Sequence, residues 1–316
     1  MDIETSPNPP SVPPFSAPPP EGLKAIFVQD DGGLRAGWRL LLYSTFVAGL
    51  GFAAVILLAL FAPSSRLQFP PVSLFAEDAF GFLVILGAAL IMSQIEHRPA
   101  GAYGLPVRGA FGKTFWQGWL FGLVEISALV GLIYTFGGYR FGSLALHGGE
   151  LARWGIIWAI AFVFVGLFEE FLFRGYTQYT LADGIGFWPA AILLSFSFGA
   201  VHLRNPGEDA VGAASVVMTG LVFALALRRT GNLWFVVGWH ASFDFGETFL
   251  FSVPDSGLLF DGHLSNATLQ GHRWLTGGSV GPEGSVFSFL TLAVLALLIH
   301  FLFPAKNSNP GANWKP

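Results

Sequence analysis

Residues 154–174 read WGIIWAIAFVFVGLFEEFLFR: an uncharged run from Trp154 to Phe168, then Glu169, Glu170 and Arg174 set among aromatic side chains. Seven other stretches are nearly as free of charge. They are Leu40 to Ser65, Ala79 to Ile95, Thr114 to Tyr139 (with Glu125), Gly184 to Leu203, Ala210 to Leu227, Gly231 to Phe251 and Gly284 to Ala305. A helix needs about 20 apolar residues to cross the hydrocarbon core of a bilayer. No sustained period-2 alternation points to a barrel, so these eight stretches predict transmembrane helices. The fold class expected is all-α, a polytopic bundle of about eight spans.

Composition agrees with that reading. The chain has 316 residues, 53% hydrophobic and only 11% charged, and its mean hydropathy is +0.59. A soluble domain carries about 25% charged residues. There are 33 Phe and 10 Trp but no Cys, which excludes disulfide scaffolds, thiolate metal sites and cysteine nucleophiles. A net charge of −4 supplies no basic footprint for nucleic acid, so none is expected as a partner. The partner that this composition predicts is membrane lipid.

Eight of the 20 prolines fall between Pro7 and Pro20, so residues 1–36 are expected to be a disordered Pro-rich arm. Asp2 and Glu4 stand where a signal peptide would carry positive charge. Residues 37–305 form the expected membrane domain, with 252–283 as its one long extramembrane loop and 306–316 as a tail. With the N-terminus inside, eleven Lys and Arg lie on the cytoplasmic side and five on the other, which favours both termini inside.

Ionisable residues within spans cost roughly 2.5–3.5 kcal/mol each at a helix centre, so each needs a reason to be there. Three groups stand out: Glu169-Glu170-x-x-x-Arg174, Phe198-x-x-x-His202 and His240-x-x-x-Asp244. Glu170 and Arg174 are four apart and can pair on one helix face. Glu169 points about 100° away and lacks that partner. His240 and Asp244 project together, with Glu247 one turn further along. If the fourth and fifth spans form a plain hairpin turning near Gly184, Glu169 and His202 both lie roughly 22–27 Å from the turn, at equal depth. A carboxylate and an imidazole at one depth can hold and deprotonate a water. Each device alone has a bland structural reading. Together they point to a single site.

The three motifs, in this order on three membrane helices, resemble the CAAX-protease and bacteriocin-processing family of intramembrane proteases, also called Abi or type II CAAX prenyl endopeptidase-like. The resemblance covers Phe168 to Glu247. It implies a metal-independent glutamic protease in the plasma membrane of a bacterium, with a hydrophobic peptide or membrane-protein substrate as partner and Glu169 and His202 activating the attacking water. It also implies that His240 and Asp244 stabilise the oxyanion, and that Glu170, Arg174 and Phe198 support the site. Asp244 stands where many members have Asn. An ionised carboxylate cannot donate to an oxyanion, so Asp244 either stays protonated or orients His240, which then donates alone.

No cofactor is expected. Zinc held by His202, His240 and a carboxylate is the rival mechanism, although no His-Glu-x-x-His is present. A non-catalytic immunity or scaffold protein, or an ion path, is the alternative of a different class. Gly277-Gly278-Ser279-Val280-Gly281 matches a nucleophile-elbow pattern but lacks the strand and helix that the elbow needs. Gly118 and Gly122 suit close helix packing.

Overall fold

The computed structural model describes residues 22–29, 32–61 and 70–304. Most of the Pro-rich arm and the whole of the tail lie outside them. All eight charge-poor stretches are helical: α2 (Ala36–Phe61), α3 (Pro70–Ile95), α4 (Lys113–Thr135), α5 (Gly149–Arg174), α7 (Phe187–His202), α8 (Ala210–Thr230), α9 (Leu233–Phe245) and α11 (Val286–Leu302). Three short helices complete the set: α1 (Lys24–Phe27), α6 (Tyr176–Ile185) and α10 (Arg273–Thr276). Five helical segments are long and apolar enough to cross a membrane, one of them running through α5 and α6, while α7 and α11 are shorter apolar helices. The count of eight spans is therefore approximate.

Lipid offers no hydrogen bonds, so each backbone group must find its partner within the protein. The caps follow local sequence. Asp209 accepts from the Val211 and Gly212 amides to start α8, Asn232 accepts from Trp234 to start α9, and Ser285 accepts from Phe287 to start α11. Outward faces are apolar, as a lipid-facing surface requires: Phe52, Val55, Leu120, Val124, Phe196, Leu297 and Phe301 are all exposed. The integral membrane character read from composition holds.

α9 is the axis of the bundle. It packs against α4, α5 and α8, and Leu233 to Val237, Trp239 and Ala241 are all buried. α4 and α9 touch through backbone. A Cβ at Gly118 would collide with the Phe235 carbonyl, and one at Gly122 with the Trp239 carbonyl. The same closeness holds between α3 and α5, where a Cβ on Gly81 would overlap the Phe168 ring.

Two features depart from the plain reading. The fourth and fifth spans are not a simple hairpin: α5 ends at Arg174, Gly175 breaks the helix, and α6 runs to Ile185 before α7 begins. Within the arm, residues 24–27 form α1, Val28 bridges Leu34, and Trp38 Nε1 donates to the Ile26 carbonyl at 2.9 Å. An ion network fastens the end of the bundle where α2, α3 and α6 meet. Arg39 bridges Glu96 at 2.6 Å and Asp183 at 2.9 Å, while the Tyr176 hydroxyl donates to Glu96.

The long segment after α9 has its own architecture. A π-helical turn (Gly246–Leu250) extends α9, and the chain then returns as β2 (Thr268–Leu269), antiparallel to β1 (Tyr139–Arg140). α10 and a 3-10 turn (Pro282–Gly284) lead into α11. This return path carries Asp255 and Glu283 against the bundle interior.

Candidate active site

Glu169, Phe198, His202, His240 and Asp244 line one cavity, drawn from α5, α7 and α9. The equal-depth argument assumed a straight hairpin, which the break at Gly175 removes. Glu169 and His202 nevertheless face the same space.

His240 is the centre of the polar network. Its Nδ1 lies 2.8 Å from Glu170 Oε1, and the same oxygen accepts from Arg174 Nη1 at 3.1 Å. A carboxylate paired to arginine only accepts, so His240 Nδ1 carries the proton. Nε2 is thereby aimed at the other side, 3.4 Å from Asp244 Oδ2 and 3.7 Å from Glu169 Oε2. Glu170 and Arg174 are fully enclosed, at 0% and 1% exposure, and the Arg174 guanidinium sits 4.4 Å over the Phe198 ring. The expected i,i+4 pair is present, and it does more than the spacing implied. It anchors a histidine 70 residues away.

His202 is held differently. Its Nδ1 lies 2.9 Å from the Phe198 carbonyl, one turn back on α7. A carbonyl can only accept, so Nδ1 is the donor and Nε2 is left as an acceptor. Phe198 therefore supports the site twice, through its carbonyl to His202 and its ring to Arg174. Glu169 Oε2 is shielded from solvent and accepts no hydrogen bond. The cavity thus brings together a carboxylate oxygen and an imidazole nitrogen, both able to accept a proton.

Several polar residues in the same cavity escaped sequence reasoning. Asp78 comes from α3, and its Oδ2 is buried without a partner. Glu125 from α4 accepts from Trp239 Nε1 at 2.6 Å. Asp255 and Glu283 arrive from the return segment. Burial, together with repulsion from Asp244 and Glu283, pushes the Asp255 carboxyl well above the ordinary carboxylate range. Asp78 could have been noticed at the edge of the Ala79 run. Asp255 and Glu283 sit in a polar loop, where acidic residues carry no signal.

His202 and His240, the imidazoles of the zinc donor set weighed from sequence, line the same cavity. Both His240 nitrogens face carboxylates, and among the described residues the acidic and imidazole groups close enough to hold an ion are Glu247, Asp255 and Glu283. Ser279 of the elbow-like pattern donates to the Gly207 carbonyl at 2.9 Å.

Residues 151–246 match a family model described as type II CAAX prenyl endopeptidase Rce1-like. The match runs from α5 into the π turn and contains all three motifs. Over this segment the chain is similar to the type II CAAX prenyl endopeptidase family. No curated protein sequence matches the chain.

Proposed function

We propose that the chain is an intramembrane endopeptidase in which Glu169 and His202 activate water against a peptide bond of a hydrophobic substrate. One observation carries this reading: Glu169, with an oxygen that accepts no hydrogen bond, and His202, with its Nε2 left as an acceptor, line one cavity beside a histidine fixed at its far nitrogen.

Water held between Glu169 and His202 gives its proton to Glu169 as its oxygen attacks the carbonyl carbon. The carbonyl becomes an oxyanion, and the tetrahedral intermediate needs a donor there. His240, tethered through Nδ1 to Glu170, presents Nε2–H when its ring is protonated. Asp244 sits against that nitrogen and holds the ring in place, so donation does not require Asp244 itself. Collapse of the intermediate breaks the C–N bond, and the protonated Glu169 returns its proton to the leaving amine. Phe162, Val165, Phe223 and Phe243 give the cavity apolar walls suited to a hydrophobic segment entering from lipid.

The test is hydrolysis by the detergent-purified protein of a library of hydrophobic peptides, including prenylated C-terminal ones, with and without zinc chelation. We expect cleavage that is indifferent to a zinc-selective chelator. Activity lost on chelation and restored by stoichiometric zinc would transfer the chemistry to a metal. A folded protein that cleaves nothing would favour the non-catalytic reading.

Asp244 provides a sharper check. If it serves by orienting His240, Asp244→Asn keeps activity within about fivefold, because an amide oxygen can replace the carboxylate as acceptor. Asp244→Ala loses about 10²-fold or more, a typical cost of disturbing an oxyanion donor. Equal loss in both variants would show that the carboxylate itself carries a proton.

A further inference from the structure

Glu247, Asp255 and Glu283 form a second polar cluster, beside the cavity that the three motifs line. One carboxylate oxygen of each lies within 4.8 Å of the other two. Glu247 lies in the π turn at the end of α9, and π turns recur where a helix presents a functional side chain. Its side chain is completely enclosed, yet neither of its oxygens accepts a hydrogen bond. Three carboxylates at this spacing, one of them sealed and unpartnered, require positive charge or protons between them.

The surrounding groups are arranged to leave ligand atoms free. Thr248 Oγ1 donates to Asp255 Oδ2 at 3.0 Å, fixing that carboxylate and leaving Oδ1 available. Ser256 donates to Glu283 Oε2 from both its amide, at 2.9 Å, and its hydroxyl, at 2.7 Å, leaving Oε1. Such outer contacts orient ligands in metal sites. The donors are all oxygen, which selects hard cations over zinc. Oxygens around calcium, each about 2.3–2.6 Å from the ion, stand up to roughly 5 Å apart, the scale of this cluster.

We propose that Glu247, Asp255 and Glu283 bind a hard divalent cation of the calcium class, which fastens the return segment to the end of α9. Asp255 and Glu283 both line the cavity that holds Glu169 and His202, so the ion fixes one wall of that cavity. The site is independent of the catalytic assignment, and its test needs no activity.

The full chain, purified in a neutral detergent and stripped with EGTA and EDTA, is titrated with CaCl2 and separately with MgCl2. Thermal unfolding and equilibrium dialysis with elemental analysis are followed. The expected result is about one calcium per chain, with Tm raised by about 5 °C or more at 100-fold excess over Kd. Asp255→Asn and Glu283→Gln each weaken calcium binding by at least about tenfold. Glu247→Gln abolishes the Tm response. A wild-type protein that takes up no calcium and shows no Tm shift overturns the proposal. So does a Tm shift that persists unchanged in the three variants. A Glu247→Gln protein more stable than a calcium-indifferent wild type would assign the cluster to shared protons.

Discussion

Glu169→Gln and His202→Ala each reduce peptide hydrolysis by about 10³-fold or more, with membrane extraction and Tm close to wild type. Glu169 Oε2 accepts no hydrogen bond within the protein and meets His240 Nε2 only at 3.7 Å, so its replacement by an amide removes a base at little cost in contacts. His202 spends Nδ1 on its own helix, and its loss frees only the Phe198 carbonyl, which water can satisfy. Little stability rests on either residue. The double variant should be scarcely worse than each single one, because two groups that activate one water act as a unit. Measured rates that multiplied instead would show two separate roles. Full activity in either single variant would remove that residue from the chemistry.

The sequence and the structure part company in an instructive place. The eight helices were legible because lipid penalises charge, so a scarcity of charged residues marks each apolar helix in the chain. The i,i+4 pairs were legible too, since Glu170–Arg174 and His240–Asp244 each lie within one helix. Contacts between helices were not. Glu170 reaches His240 across 70 residues, and no periodicity announces it. Asp78, Glu125 and the pair Asp255 and Glu283 come from three separate segments, and only the packing of the bundle brings them to one cavity. The break at Gly175 was hidden for another reason. A glycine in an apolar run is compatible with a continuous helix, and nothing in the adjoining residues excludes one. The π turn at Gly246 likewise looks like the last turn of an ordinary span.

That inter-helix contact sets up the second large effect. Arg174→Ala should lower stability by about 3–5 kcal/mol, because it leaves the Glu170 carboxylate without its arginine where water cannot reach, with His240 Nδ1–H as its remaining partner. The Phe198 ring also loses the cation stacked on it. Activity should fall as well. A Glu170 freed from Arg174 no longer holds Oε1 under His240 Nδ1, and the imidazole loses the contact that fixes its orientation. Two variants separate stability from positioning. Glu170→Gln keeps an acceptor for His240 Nδ1–H but strands the arginine, so it should be unstable and, at low temperature, still measurably active. Combining Glu170→Gln with Arg174→Met removes both buried charges while filling the same space, and apolar replacement of a buried pair is often neutral or stabilising. The double variant should therefore recover most of the Tm, together with activity. Thermal melts and cleavage rates on the same preparations test this directly. An Arg174→Ala protein that melts like wild type yet cleaves nothing would mean the guanidinium contacts the substrate, and the clamp would have to be reassigned to the reaction itself.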